Sequence, residues 1–121
     1  MAFNKIKPAK IERLAILLEE LGEAQHMIGK ILRHGYDSYN SFKPEAGTNK
    51  YLLECELGDV VSAIRRLIDA DDLDAQVIDK ANRAKDERIM PYLHHQTTNY
   101  PKKLFSASYD KSMSLLNTKK E

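Results

Sequence analysis

The chain has a single cysteine, Cys55, and that scarcity excludes two kinds of protein. An intrachain disulfide framework is impossible, and the lone thiol fits a reducing cytoplasm. Zinc-type spacing of cysteine and histidine is also missing. No Gly-rich phosphate loop of the Walker or dinucleotide type occurs. No apolar run approaches the roughly 20 residues that a membrane span needs. Met1 to Lys10 holds three lysines, but no apolar segment of signal-peptide type follows them. An excess of charge is lacking too: 31% of residues are charged, yet the formal net charge is +1. That balance gives no electrostatic reason to expect a nucleic-acid polymer or a membrane surface as partner. The expected location is cytoplasmic.

What is present is helical periodicity, and 121 residues suit one ordinary domain. Pro8 fits the first turn of a helix. From there to about Arg33, Ile11, Leu14, Leu18, Leu21, Ile28 and Leu32 recur at threes and fours, with only Gln25 polar in the stripe. Gly35 is a plausible stop, and Arg33 and His34 suit the negative end of the helix dipole. A second helix is expected from about Asn49 to Ala70, with Leu53, Leu57, Val60, Ile64 and Leu67 or Ile68 as its core stripe. Asp71 and Asp72 offer an N-cap to a third helix, about Leu73 to Ile89, which Pro91 ends. Strand alternation is poorly supported anywhere. The segment after Tyr92 lacks sustained periodicity. Tyr36 to Thr48 is rich in turn formers but holds Tyr36, Tyr39 and Phe42. Those aromatics either pin the loop to the body or form a base-stacking lip over a cleft.

Two acidic stretches look like copies of each other. Glu20-Leu21-Gly22-Glu23 aligns with Glu56-Leu57-Gly58-Asp59. Each pair of acids is three apart and shares a helix face. Each also lies in an apolar row: Ile16, Glu20, Glu23, Met27 on helix one, and Leu52, Glu56, Asp59, Ala63 on helix two. A solvated face would more often continue with charged or polar residues. The acids are therefore expected to point toward the other helix. Carboxylates converging without partners are costly. A divalent cation resolves this, and an oxygen-only ligand set favours Mg²⁺ or Mn²⁺ over zinc. The matched glycines suggest close helix approach, or room for a ligand. Cys55 shows no nucleophile–base constellation, so a buried thiol is the default. His26 is expected at the surface or an interface, and His94-His95 is expected to be structural or interfacial.

Glu19-Glu20-x-x-Glu23 followed by Glu56-x-x-Asp59 resembles the signature of the all-α nucleoside triphosphate pyrophosphatases. These are the MazG-like proteins and their relatives, among them dimeric dUTPases, dCTP pyrophosphatases and phosphoribosyl-ATP pyrophosphatases. The resemblance covers about Pro8 to Tyr92. Residues 1–92 are read as the helical pyrophosphohydrolase domain, and residues 93–121 as an extension that packs on an interface or frays. The linker between the motifs is on the long side for the family.

The resemblance implies an all-α, antiparallel helical bundle completed by subunit association, as a homodimer or homotetramer. It implies a Mg²⁺-dependent hydrolase that cleaves the α–β phosphate bond of a nucleoside triphosphate, giving a monophosphate and pyrophosphate. It makes Glu20, Glu23, Glu56 and Asp59 the metal ligands. Glu19 then binds a second metal or orients the attacking water. Asn82-x-x-Lys85 resembles the element that follows the acidic motifs in relatives. Asn82 and Lys85, with Lys80 and Arg88, are the expected phosphate- and nucleotide-binding residues. These cations also have acidic neighbours in Asp79, Asp86 and Glu87, with which they would pair on a solvated surface. The role implied is nucleotide-pool housecleaning. The alternatives are a relative specific for dUTP or dCTP, or a non-catalytic helical oligomer that binds a cation.

Overall fold

The computed structural model describes residues 4–96 and is built from helices. Of the expected 93–121 extension, the part after residue 96 lies outside the described residues. Three α-helices follow one another: α1, Pro8–His34; α2, Asn49–Asp69; and α3, Ala75–Ile89. Two short 3₁₀ turns, Pro44–Ala46 and Met90–Tyr92, complete the order. Among the described residues there is no strand, only an isolated bridge between Tyr39 and Thr48. No described helix is long and apolar enough to cross a membrane. The residues cluster into two compact units that divide between Asp72 and Leu73.

In the first unit α1 and α2 pack as an antiparallel hairpin. Proline in the first turn starts α1, and Gly35 at φ +92° ends it, its N–H returning to the Ile31 carbonyl. Thr48 caps α2 by accepting from the Tyr51 N–H at 3.2 Å. The packed face of α1 carries the buried Ala24 and Met27, which meet a surface of α2 holding Val60, Ala63, Leu67 and Ile68. This corrects the choice of face on α1. Ile11, Leu14, Leu18, Leu21, Ile28 and Leu32 are all exposed, Leu18 at 74% and Leu32 at 82%. Leu57 of the expected α2 stripe is exposed as well. The helix has two apolar faces, and the one that carries Ala24 and Met27 takes the contact with α2.

The Tyr36–Thr48 loop is held by its ends. Asn49, only 6% exposed, donates its backbone N–H to the Ser38 carbonyl at 2.8 Å and its amide to the Gly35 carbonyl at 3.2 Å. Lys50 N–H reaches the Tyr36 carbonyl at 2.9 Å. The aromatics do not pin the loop. Tyr36 and Tyr39 are exposed, and Phe42 is 93% exposed.

At the other end of the hairpin, Asp71 and Asp72 do not cap α3; they close α2. Asp71 sits at φ +59°, with its N–H on the Ile68 carbonyl, while the Asp72 N–H returns to the Leu67 carbonyl at 2.9 Å. That is a Schellman ending with a non-glycine residue in the left-handed position. Asp71→Gly is expected to stabilise the protein by about 0.5–1 kcal/mol, read by urea unfolding. The Asp72 side chain turns to α1 instead, where Arg13 grips both of its oxygens at 2.6 and 3.2 Å and Lys10 lies at 3.6 Å. In the second unit Asp74, not Asp71 or Asp72, caps α3, accepting from the Gln76 N–H at 2.8 Å.

Candidate metal centre

Midway along the hairpin the two acidic stretches meet. The residues that carry them are helical for ordinary reasons: no proline interrupts Ile16–Met27 or Leu52–Ala63, and leucine and glutamate are frequent in both. Helical spacing then puts Glu20 in line with Ala24 and Met27, and Glu56 in line with Val60 and Ala63, all of them buried. Packing those apolar residues of α1 and α2 against one another draws the carboxylates into the same seam.

Glu20, Glu56 and Asp59 each offer a carboxylate oxygen, and the three oxygens lie within 4.8 Å of one another. Glu20 and Glu56 are half-buried and Asp59 is exposed. One oxygen of Glu20 and one of Glu56 are shut away from solvent with no hydrogen-bond partner. The electrostatics agree with the crowding. Desolvation pushes the Glu20 pKa up, and the charges of Glu23, Asp59 and Glu19 push it further. A hydrogen bond with the Glu23 carboxyl raises the Glu56 pKa, followed by desolvation and by the charges of Glu23, Asp59 and Glu20. Glu23 therefore faces Glu56, although its own oxygens stand outside the tight three-way group. An orphaned pair of buried oxygens beside a third carboxylate is a donor set suited to a hard divalent cation.

Glu19 is exposed and borders this group closely enough for its charge to act on Glu20. Its counterpart in the repeat, Cys55, is exposed rather than buried, which corrects the expectation of an inert interior thiol. Cys55 lies one turn from Tyr51, and a hydrogen bond between them is the main reason the Tyr51 pKa rises. The four-residue spacing on α2 was the available signal for that pair. The glycines are also corrected. A side-chain carbon built on Gly22 or Gly58 would meet nothing within 4 Å, so neither residue marks close approach of α1 to α2.

Lys80, Asn82, Lys85 and Arg88 all belong to the second unit, exposed on α3. Asn82, Lys85 and Arg88 recur every three residues and share one side of the helix. Their neighbour Arg83 is engaged within the same helix, 2.9 Å from Asp79. His94 and His95 follow the last turn and are exposed.

Comparison with known proteins gives no further anchor: no family model, no curated protein and no solved structure matches this chain.

Proposed function

We propose that the protein is a Mg²⁺-dependent nucleoside triphosphate pyrophosphohydrolase of the MazG-like kind. The observation that carries this reading is the meeting of Glu20, Glu56 and Asp59 oxygens within 4.8 Å, two of the carboxylates having a buried oxygen without a partner. The signature formed by Glu19, Glu20, Glu23, Glu56 and Asp59 supplies the reaction class.

In this reading Glu20, Glu56 and Asp59 hold the cation, with Glu23 beside them. A Mg²⁺ or Mn²⁺ ion held by these carboxylates would supply neutralisation of phosphate charge for the attack of water. Glu19, exposed at the edge of the cluster, orients that water. Lys80, Asn82, Lys85 and Arg88 bind the phosphates that leave as pyrophosphate. They offer the donors and positive charge that a leaving pyrophosphate requires. The aromatic loop residues Tyr36, Tyr39 and Phe42 supply faces on which a base stacks. The bundle is completed by association of subunits, and the setting is cytoplasmic nucleotide-pool control.

The test is a pyrophosphate-release assay over the standard and common damaged nucleoside triphosphates, with Mg²⁺ and with Mn²⁺. Release is expected, and Asp59→Asn is expected to lower it at least about 100-fold while leaving the helical circular dichroism unchanged. One nucleotide turned over far faster than the rest identifies a specialised enzyme, such as a dUTP or dCTP pyrophosphatase. No release from any of them overturns the enzymatic reading in favour of a cation-binding helical oligomer.

A further inference from the structure

The side of α1 turned away from α2 presents a heptad seam that no described residue covers. Ile11, Leu14, Leu18, Leu21, Gln25, Ile28 and Leu32 alternate at threes and fours without a break, over roughly 30 Å of helix. Its six apolar members expose on the order of 500 Å² per chain, at the upper end of what a monomer leaves in contact with water. With a polar rim added, the face reaches roughly the 800 Å² per partner that a stable interface uses. We infer that this face docks on the same face of a second copy of the chain, with the two α1 helices antiparallel and the two-fold axis beside Gly22.

Two further patterns on α1 require the same pairing. Ala15, Gly22 and Gly29 repeat every seven residues along one edge of the seam. A side-chain carbon at Gly22 or Gly29 would meet nothing within 4 Å, so no described residue packs into the space they leave. Together with Gln25, His26, Lys30 and Arg33, the two glycines line a shallow recess. In the antiparallel pair Gly22 meets Gly22, and Ala15 meets Gly29 of the second copy. The recess thus receives the other helix.

The rim beyond them changes sign along its length. Glu12 and Glu19 occupy the first half of α1, and His26 and Arg33 the second, again at intervals of seven. The same antiparallel register sets Glu12 opposite Arg33 of the second copy and Glu19 opposite its His26. A parallel pair would set Glu12 against Glu12 and Arg33 against Arg33, and would align the helix dipoles. Seam, small residues and charge are thus each self-complementary about one point, which is the requirement for a two-fold interface.

The inference gives the expected subunit association a face and a register, and it stands whether or not the protein is an enzyme. Analytical ultracentrifugation of the full chain is expected to show a dimer, or an even-numbered assembly built from dimers. Leu18→Glu is expected to weaken dimerisation at least about 100-fold without loss of helix, because Leu18 contributes little within the chain. Glu12→Arg and Arg33→Glu are each expected to weaken it about tenfold, and the double change to restore it. In a Cys55→Ser background, Ala15→Cys mixed with Gly29→Cys is expected to form a disulfide-linked pair on mild oxidation, and neither alone. A monomeric wild-type chain at micromolar concentration overturns the inference, and so does Ala15→Cys linking to itself. Absence of rescue in the double charge change overturns the register.

Discussion

Glu56→Gln is expected to raise the melting temperature of the cation-free protein at neutral pH and to abolish most of its response to Mg²⁺. Glu56 faces Glu23, Glu20 and Asp59 and keeps one buried oxygen without a partner. An amide of the same shape removes one repelling charge and brings two donors to oxygens that, when ionised, only accept. For the wild type, a cation bound to the folded state alone, at about 100 times its dissociation constant, adds about 2.7 kcal/mol of stability. For a chain of this length that is a shift of roughly 10 °C. The substituted protein loses a ligand and most of that shift. Differential scanning fluorimetry with and without Mg²⁺ reads both effects. A Glu56→Gln protein that melts lower than wild type without cation, or responds to Mg²⁺ as the wild type does, defeats the assignment.

The same cluster fixes the direction of the pH dependence. In the cation-free protein Glu20 and Glu56 hold protons more tightly folded than unfolded. The penalty they impose is complete above their raised pKa values. It fades as pH falls through those values toward the ordinary glutamate range, so cation-free stability rises with mild acidification. Asp72 behaves in the opposite way, its pKa lowered chiefly by the hydrogen bond from Arg13. Its contribution is present above the ordinary aspartate value and is lost as pH falls through the lowered one. The cation-free melting temperature is therefore expected to pass through a maximum in mild acid. With Mg²⁺ bound, the rise on leaving neutrality disappears, because protons and the cation compete for the same oxygens.

Leu67→Ala is expected to produce the largest loss of stability by a single truncation, about 2–5 kcal/mol in urea unfolding. Among the described residues Leu67 is the one large side chain with no exposed surface at all. The other buried apolar residues are few and mostly small: Ala24, Met27, Val60, Ala63, Ile68 and Ala75. A core this lean has little spare material with which to fill a cavity. Against a typical total of 5–15 kcal/mol, such a loss brings the chain near its unfolding threshold. A cost below about 1 kcal/mol would mean that the site collapses freely and that packing here is loose.

The helices were legible in the sequence because Pro8, Gly35 and Pro91 punctuate long stretches of unbroken period. The acidic meeting point was legible for a related reason. Ile16 and Met27, and Leu52 and Ala63, bracket the acids with apolar residues, and the packed face followed those rows. The stripe from Ile11 to Leu32 was misleading because α1 is apolar on two sides. Hydrophobicity alone does not say whether a face meets its own chain or another. Of the two α1 residues that end up buried, Met27 belonged to the acidic row, while Ala24 carried no signal of its own. The fate of Asp71 and Asp72 was hidden for a similar reason: helix endings and helix starts use the same small polar residues, and only Arg13, far away in sequence, breaks the tie.

The double clamp at Asn49 has a use beyond stability. Because Gly35, Ser38 and Tyr36 are tied to the first turn of α2, the hairpin is already closed before the loop reaches Asn40. Lengthening the tip between Asn40 and Lys43 therefore leaves the closure intact, and doubling a flexible loop costs only about 0.6 kcal/mol. The tip around Phe42 is thus a natural insertion point for a reporter peptide or a fluorescent label. It lies at the far end of the hairpin from the Asp72 clip, and a cargo placed there would leave both α1 faces free.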